Sequence, residues 1–150
     1  MNRFVATLTE PTMTQLEKVL YTGKTHTAGG RDGSSRSSDG RLDVRLSTPG
    51  TPGTGTNPEQ LLAAAWSACL ISAIKHEAGK AKVSIPASVA VEAEVDLAKL
   101  GGNHLLRARL NVSLPGLARD AARALVDAAH QTCPFSKATR GNVDVAINLL

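Results

Sequence analysis

Aromatic residues are almost missing from this chain: one Trp, one Tyr and two Phe, 3% of 150 residues. Its core must therefore be built from Leu, Val, Ile and Ala. Cysteine is scarce too, with only Cys69 and Cys133. Two cysteines without a CxxC pair do not make the disulfide framework of a small secreted domain. They are buried small hydrophobes or a redox pair. No apolar run reaches membrane length. The longest, Leu61 to Ile74 (LLAAAWSACLISAI), contains Ser67 and Ser72 and falls short of the ~20 residues a spanning helix needs. The N-terminus, MNRFVATLTEPTMTQ, lacks the apolar centre of a signal peptide, which leads us to expect a cytoplasmic protein with no membrane partner. Formal net charge is +4, yet no run of five basic residues occurs. A nucleic-acid surface would need a basic stripe, so nucleic acid is not an expected partner, and the charge reads as solubility with mild steering of anions. His26, His76, His104 and His130 show no ligand spacing and form no Cys-His cluster. No metal and no other cofactor is expected.

The length suits one domain. Residues 1–15 read as an N-terminal extension and 16–150 as a single domain. Leu16 to Thr27 carries a weak strand pattern, and Ala28 to Gly40 (AGGRDGSSRSSDG) reads as a loop. Arg41 to Ser47 alternates as a half-buried strand, with Leu42, Val44 and Leu46 on one face. Asn57 to about Lys80 is a helix. Asn57 caps it, Pro58 takes the first helical position, and Gln60 sits where a capping box places its partner. Its apolar character on nearly all sides up to Ile74 predicts a buried helix. Ser88–Ala98 and His104–Leu114 form a hairpin around Gly101-Gly102. That register sets Asp96 opposite Arg107 and Glu94 opposite Arg109, both favourable pairs. Leu117 to Thr132 is an amphipathic helix with Leu117, Ala121, Leu125, Ala128 and Ala129 inward, stopped by Pro134. Gly141 to Leu150 is a last strand. Strands, helix, hairpin, helix and strand in that order give an α+β fold.

Cys69, deep in the apolar helix, reads first as a core residue. Cys133, at a helix end before Pro134, reads as a helix stop as readily as a reactive thiol. A redox role needs more. The nucleophile is a thiolate, and a free thiol with a pKa of ~8.5 is mostly protonated at neutral pH. Burial makes that worse, so a cation is required. A guanidinium is better than an ammonium, because Lys can lose its proton when buried, and a buried Arg needs a counterion. Arg31 in the Gly-rich loop and Glu59 at the helix start are the candidates. Each also has an ordinary reading, as a solvated loop charge and as a helix-dipole partner.

Four stretches change the balance. GGRDG (Gly29–Gly33), SSDG (Ser37–Gly40), GTNPEQLLAAAWSACL (Gly55–Leu70) and CPFSKATRGNVDV (Cys133–Val145) together resemble the organic hydroperoxide resistance proteins. These are a branch of the family that also holds the osmotically inducible peroxidases. The likeness runs over about residues 18–150 in order. It implies an intertwined α+β homodimer with an antiparallel sheet, a buried central helix carrying the reactive cysteine, and sites at the subunit interface. It also implies a thiol-dependent peroxidase for oxidative stress defence that turns organic or lipid hydroperoxides into alcohols. On that likeness Cys69 is the peroxidatic cysteine, Cys133 resolves its sulfenic acid to a disulfide, and Arg31 and Glu59 flank the thiolate. A dithiol, carried by a lipoylated protein, would reopen the disulfide. Trp66 and Leu70 replace the Tyr and Phe common in that family. With Leu62 they are the expected substrate pocket.

Two other classes fit two cysteines: a disulfide oxidoreductase acting on proteins, and a non-catalytic stress or ligand-binding protein. One spacing argument stands apart from the resemblance. Glu59 and Cys69 are ten positions apart on one helix, roughly 15 Å along its axis. One Arg31 cannot serve both ends. Either the helix breaks between them, or Glu59 serves the Cys69 of another subunit. No Gly or Pro interrupts residues 60–69, so a break is not expected.

Overall fold

The computed structural model describes residues 15–150; the expected extension over residues 1–15 lies almost wholly outside the described residues. Two three-stranded sheets and three α-helices make an α+β fold. The first sheet is small and antiparallel: β1 (Thr25–Ala28), β2 (Ser34–Ser37) and β3 (Asp43–Arg45), in that order. The segment read as a loop over 28–40 thus contains a strand. Composition hides it because β2 is SSRS and its place comes from ladder pairing to β1 and β3 on both sides. The strand expected over 16–27 shrinks to β1 at its end.

Helix α1 spans Pro58–Ala81, with Asn57 Oδ1 accepting from the Gln60 N–H at 2.9 Å. The capping box is not reciprocal, since Gln60 Oε1 instead accepts from the Thr56 hydroxyl. The helix is unbroken between Glu59 and Cys69. Contrary to the expectation of burial on nearly all sides, the chain covers one face only. Trp66, Leu70 and Ile74 are fully buried, while Ala64, Ala65, Ala68 and Ser72 are exposed.

Strands β4 (Ala90–Leu100) and β5 (Asn103–Ser113) form the hairpin in the expected register, with Asp96 opposite Arg107 and Glu94 opposite Arg109. Gly101 and Gly102 have φ of 56° and 83°, the left-handed pair that a tight two-residue hairpin turn demands. Asp96 accepts from both arginines and Glu94 from Arg109. The last strand, β6 (Asp144–Leu149), lies parallel to β5. The second sheet is therefore mixed and not wholly antiparallel. The segment between β5 and β6 carries two helices, the long crossover that parallel pairing requires.

Those helices are α2 (Arg119–Thr132) and α3 (Pro134–Thr139). The buried stripe of α2 is Ala122, Val126 and Ala129, running on to Cys133, with Leu125 beside it. Ala121, expected inward, is exposed; packing on α1 turns the stripe by one position. The core joins α1, α2 and β4–β6 around Leu110 and Val112. At roughly 25 cal/mol per Å² of apolar surface withdrawn from water, this layer supplies most of the driving force.

Candidate active site

The four candidate side chains form two pairs, and one chain keeps them apart. The first begins with the GGRDG loop. Gly29 takes φ 74°, and a Cβ at Gly33 would run into the Ala28 carbonyl oxygen. Only glycine lets β1 and β2 close so tightly around the single 3-10 turn Gly30–Asp32. The Thr48 N–H donates to Asp32 Oδ1 at 3.0 Å, which ties this turn to the following loop. Arg31 is thereby aimed at the start of α1. Its guanidinium donates twice to Glu59, 2.9 Å to Oε2 and 2.6 Å to Oε1. This is the planar fork-to-carboxylate match that lysine cannot make. Arg31 holds the Glu59 carboxyl below the usual carboxylate range, and Glu59 also sits in the first turn of α1, where the helix dipole favours an anion.

The pair opens on a cleft of about 540 Å³ between the start of α1 and the face of β4, with Pro49, Ala63, Ala93, Val95 and Leu97 in its walls. The expected pocket residues are elsewhere. Trp66 and Leu70 are fully buried in the core, and Leu62 does not line this cleft. Trp66 and Leu70 share the inward face of α1 with Ile74, spaced one turn apart, so helical phase sends them to the sheet. Sequence reasoning missed β4 as a cleft wall. Its alternation marked a core face but not where the core ends. Another cleft, of about 660 Å³, lies along polar loop residues such as Asp32, Ser47 and Thr56 and holds neither cysteine.

The second pair is Cys69 and Cys133. Pro134 drives the residue before it out of helical geometry, and Cys133 is extended at φ −60°, ψ 122°. It ends α2 through its N–H to the Ala129 carbonyl and begins α3 through its carbonyl to the Lys137 N–H. Proline at the first helical position, the signal that marked α1, also marks α3, a helix our reading of Pro134 as a stop overlooked. At this corner the Cys133 Sγ lies 3.3 Å from the Cys69 Sγ, both as thiols. Cys133 is fully buried and Cys69 half-buried. Burial pushes the Cys69 thiol up; the Phe135 N–H opposes this, and the adjoining Cys133 adds to it. Arg31 is not among the groups that shift it. With Arg31 bound to Glu59 and α1 unbroken, the cation stands roughly three turns from its own Cys69.

Among the described residues no group of three or more His, Cys, Asp or Glu is placed to hold a metal ion, and no helix is long and apolar enough to cross a membrane.

The chain as a whole is similar to known proteins. Residues 50–148 match the family model described as OsmC-like protein. The organic hydroperoxide resistance protein of Xanthomonas axonopodis pv. citri is 44% identical over 141 residues, covering 91% of this chain and 99% of its own. The crystal structure of an organic hydroperoxide resistance protein from Legionella pneumophila superposes with a TM-score of 0.82 at 41% identity, over 88% of this chain and 98% of that one. For OhrB of Bacillus subtilis the TM-score is 0.80 at 39% identity, over 88% and 100% of the two chains.

Proposed function

The chain belongs to the OsmC-like protein family, and on that premise we propose that it is a cysteine-based peroxidase reducing organic hydroperoxides to alcohols. The observation that carries this reading is the Cys69–Cys133 sulfur contact of 3.3 Å. A disulfide needs about 2.05 Å, so a shift of little more than an ångström closes it. In the first step the Cys69 thiolate attacks the peroxide oxygen not bound to carbon. The O–O bond breaks, the alkoxide takes a proton and leaves as the alcohol, and Cys69 becomes a sulfenic acid. Cys133 then attacks the Cys69 sulfur; the S–O bond breaks, hydroxide leaves as water, and the disulfide forms. An external dithiol reopens it by exchange. A lipoyl group on a partner protein has that chemistry, and a reducing cytoplasm is the compartment in which the cycle runs. The single domain spans residues 16–150.

Arg31 and Glu59 complete the site across a homodimer. Three features support this. The helix is continuous, so the two pairs of one chain stay apart. Among the described residues of its own chain no cation shifts Cys69, although burial disfavours its thiolate. One face of α1 bearing Ala64, Ala65 and Ala68 is uncovered. A second copy packing its α1 antiparallel brings its helix start, with Arg31 and Glu59 of the partner subunit, beside Cys69. The apolar cleft walls Ala63, Val95 and Leu97 favour a bulky organic peroxide, at roughly 25 cal/mol per Å² covered.

The deciding experiment is free-thiol titration after one equivalent of cumene hydroperoxide or hydrogen peroxide. Loss of both thiols, faster with cumene hydroperoxide, is the expected result. No thiol loss would return the chain to the non-catalytic class, and turnover on protein disulfides alone would make it an oxidoreductase of proteins.

A further inference from the structure

The corner that presents Cys133 is held by a contact that the reaction steps above do not use. Trp66 Nε1 donates to the Ser136 hydroxyl at 3.1 Å, and both side chains are withdrawn completely from solvent. Trp66 lies three residues before Cys69 on α1, and Ser136 lies three residues after Cys133 on α3. The bond therefore joins the two cysteine-bearing segments about one helical turn from each sulfur.

Helix α3 needs such a tie. It has six residues and no side-chain cap, too short to hold its own place. Its far end is fixed by Arg140, which donates to the His130 carbonyl at an exposed position. Phe135 packs against the core, but apolar packing is not directional and tolerates sliding. The Trp66 bond is directional, and the buried indole would be left without an acceptor if α3 moved. The first turn of α3 brings two groups to Cys69, the Cys133 sulfur and the Phe135 N–H. Both depend on where α3 sits.

We propose that Trp66 and Ser136 are positioning residues for the thiol pair, their hydrogen bond keeping α3 in register with α1 so that Cys133 meets Cys69. This rests on the peroxidase reading above, and the step it governs is the second. There the Cys133 sulfur forms the S–S bond, the S–O bond of the Cys69 sulfenic acid breaks, and water leaves. The hydroperoxide consumed in the first step is the only oxidant.

The test compares Ser136→Ala, Ser136→Thr, Trp66→Phe and the double variant Trp66→Phe/Ser136→Ala with the parent chain. One equivalent of cumene hydroperoxide is added, and disulfide formation and dimedone trapping of the sulfenic acid are followed. The pH profile of Cys69 alkylation is measured on the reduced protein. Ser136→Ala and Trp66→Phe are expected to slow disulfide formation about tenfold, the order expected when a bond that aligns reacting atoms is lost. Trapped sulfenic acid rises, and the alkylation profile moves to higher pH as the Phe135 N–H drifts away. Ser136→Thr keeps the hydroxyl and regains most of the rate. The double variant is no slower than either single, since one bond is being removed twice. Val112→Ala, in the core on β5, lowers stability without touching disulfide rate or alkylation profile, which separates positioning from general packing.

Disulfide formation at the parent rate with an unmoved alkylation profile, in either Ser136→Ala or Trp66→Phe, overturns the proposal. If Ser136→Ala does not fold, Trp66→Phe decides, because it removes the donor and leaves the hydroxyl. If the parent thiols ignore hydroperoxide, the peroxidase reading fails by itself, and the alkylation profiles still judge the clasp.

Discussion

The two sheets hold their chemistry by different means. The β4–β6 half grips the cysteine pair by burial: Trp66, Leu110, Val112 and Cys133 are all at 0% exposure. The β1–β3 half has strands of three or four residues, and Leu46 and Ser35 are its buried members. It is attached to α1 by a directional polar contact, Arg31 to Glu59, while the Thr48 N–H to Asp32 braces its own turn. Ahead of it Leu16, Val19, Leu20 and Tyr21 stand exposed. Burial resists displacement from any direction, whereas solvated polar contacts open locally at low cost. The sulfurs thus sit on the rigid half and the cation on the half that depends on a cover. A second chain, under the proposed dimer, supplies that cover and closes the circuit between halves.

Removing the sulfur should have the largest effect. Cys69→Ser abolishes peroxide reduction, while Cys133→Ser retains one turnover and leaves a sulfenic acid that dimedone labels. Identical single-turnover behaviour of the two variants would dissolve the distinction between attacking and resolving thiol. Next comes the cation. Arg31→Ala should lower kcat/KM about a hundredfold at neutral pH and move the pH-rate profile upward, because burial already raises the Cys69 thiol and only the Phe135 N–H would be left to oppose it. Arg31→Lys should recover part, lacking the fork. Mixing inactive Cys69→Ser with inactive Glu59→Ala chains should restore activity in the heterodimer; a mixed dimer that forms and stays dead would place the whole site within one chain.

Stability should show the same contrast on a smaller scale. Leu110→Ala removes a fully buried side chain and should cost about 2–5 kcal/mol. Val44→Ala, on half-buried β3, should cost less than about 1.5 kcal/mol. Urea midpoints compare them, and equal losses would erase the difference between halves. The smallest effect is that of pH on the Arg31–Glu59 pair. Glu59 has its folded pKa below the unfolded one. Its contribution is therefore complete above the ordinary carboxylate range and is lost as pH falls through the depressed value. Between neutral pH and about pH 3 the urea midpoint of the parent chain should fall further than that of Glu59→Gln, and only slightly so because solvent screens the partly exposed Arg31. Parallel curves would mean that the pair does not contribute.

Much of what a short window of sequence encodes was legible, though the start of α3 at Pro134 was missed. The alternation of Val91 to Leu97 and of Leu106 to Leu114, the Gly-Gly turn and the charge pairs together specified the hairpin down to its register. Asn57 and Pro58 fixed the start of α1. The resemblance carried by four motifs pointed to Cys69, Cys133, Arg31 and Glu59, and the structure arranges them as two pairs. What was not legible depends on segments meeting. Strand β2 has no apolar face, so only its neighbours make it a strand. The parallel pairing of β5 with β6 follows from where the α2–α3 crossover returns the chain. Trp66 and Leu70 were drawn away from the expected pocket by the sheet, and β4 became the cleft wall instead. Trp66 met Ser136 across 70 positions, a distance over which no periodicity carries information. By itself the sequence determined most of the elements and the side chains able to do chemistry, because propensity, capping and nucleophilicity reside in single residues and their near neighbours. Only the tertiary structure decided which of those residues touch, because contact depends on packing directions that distant segments impose on one another.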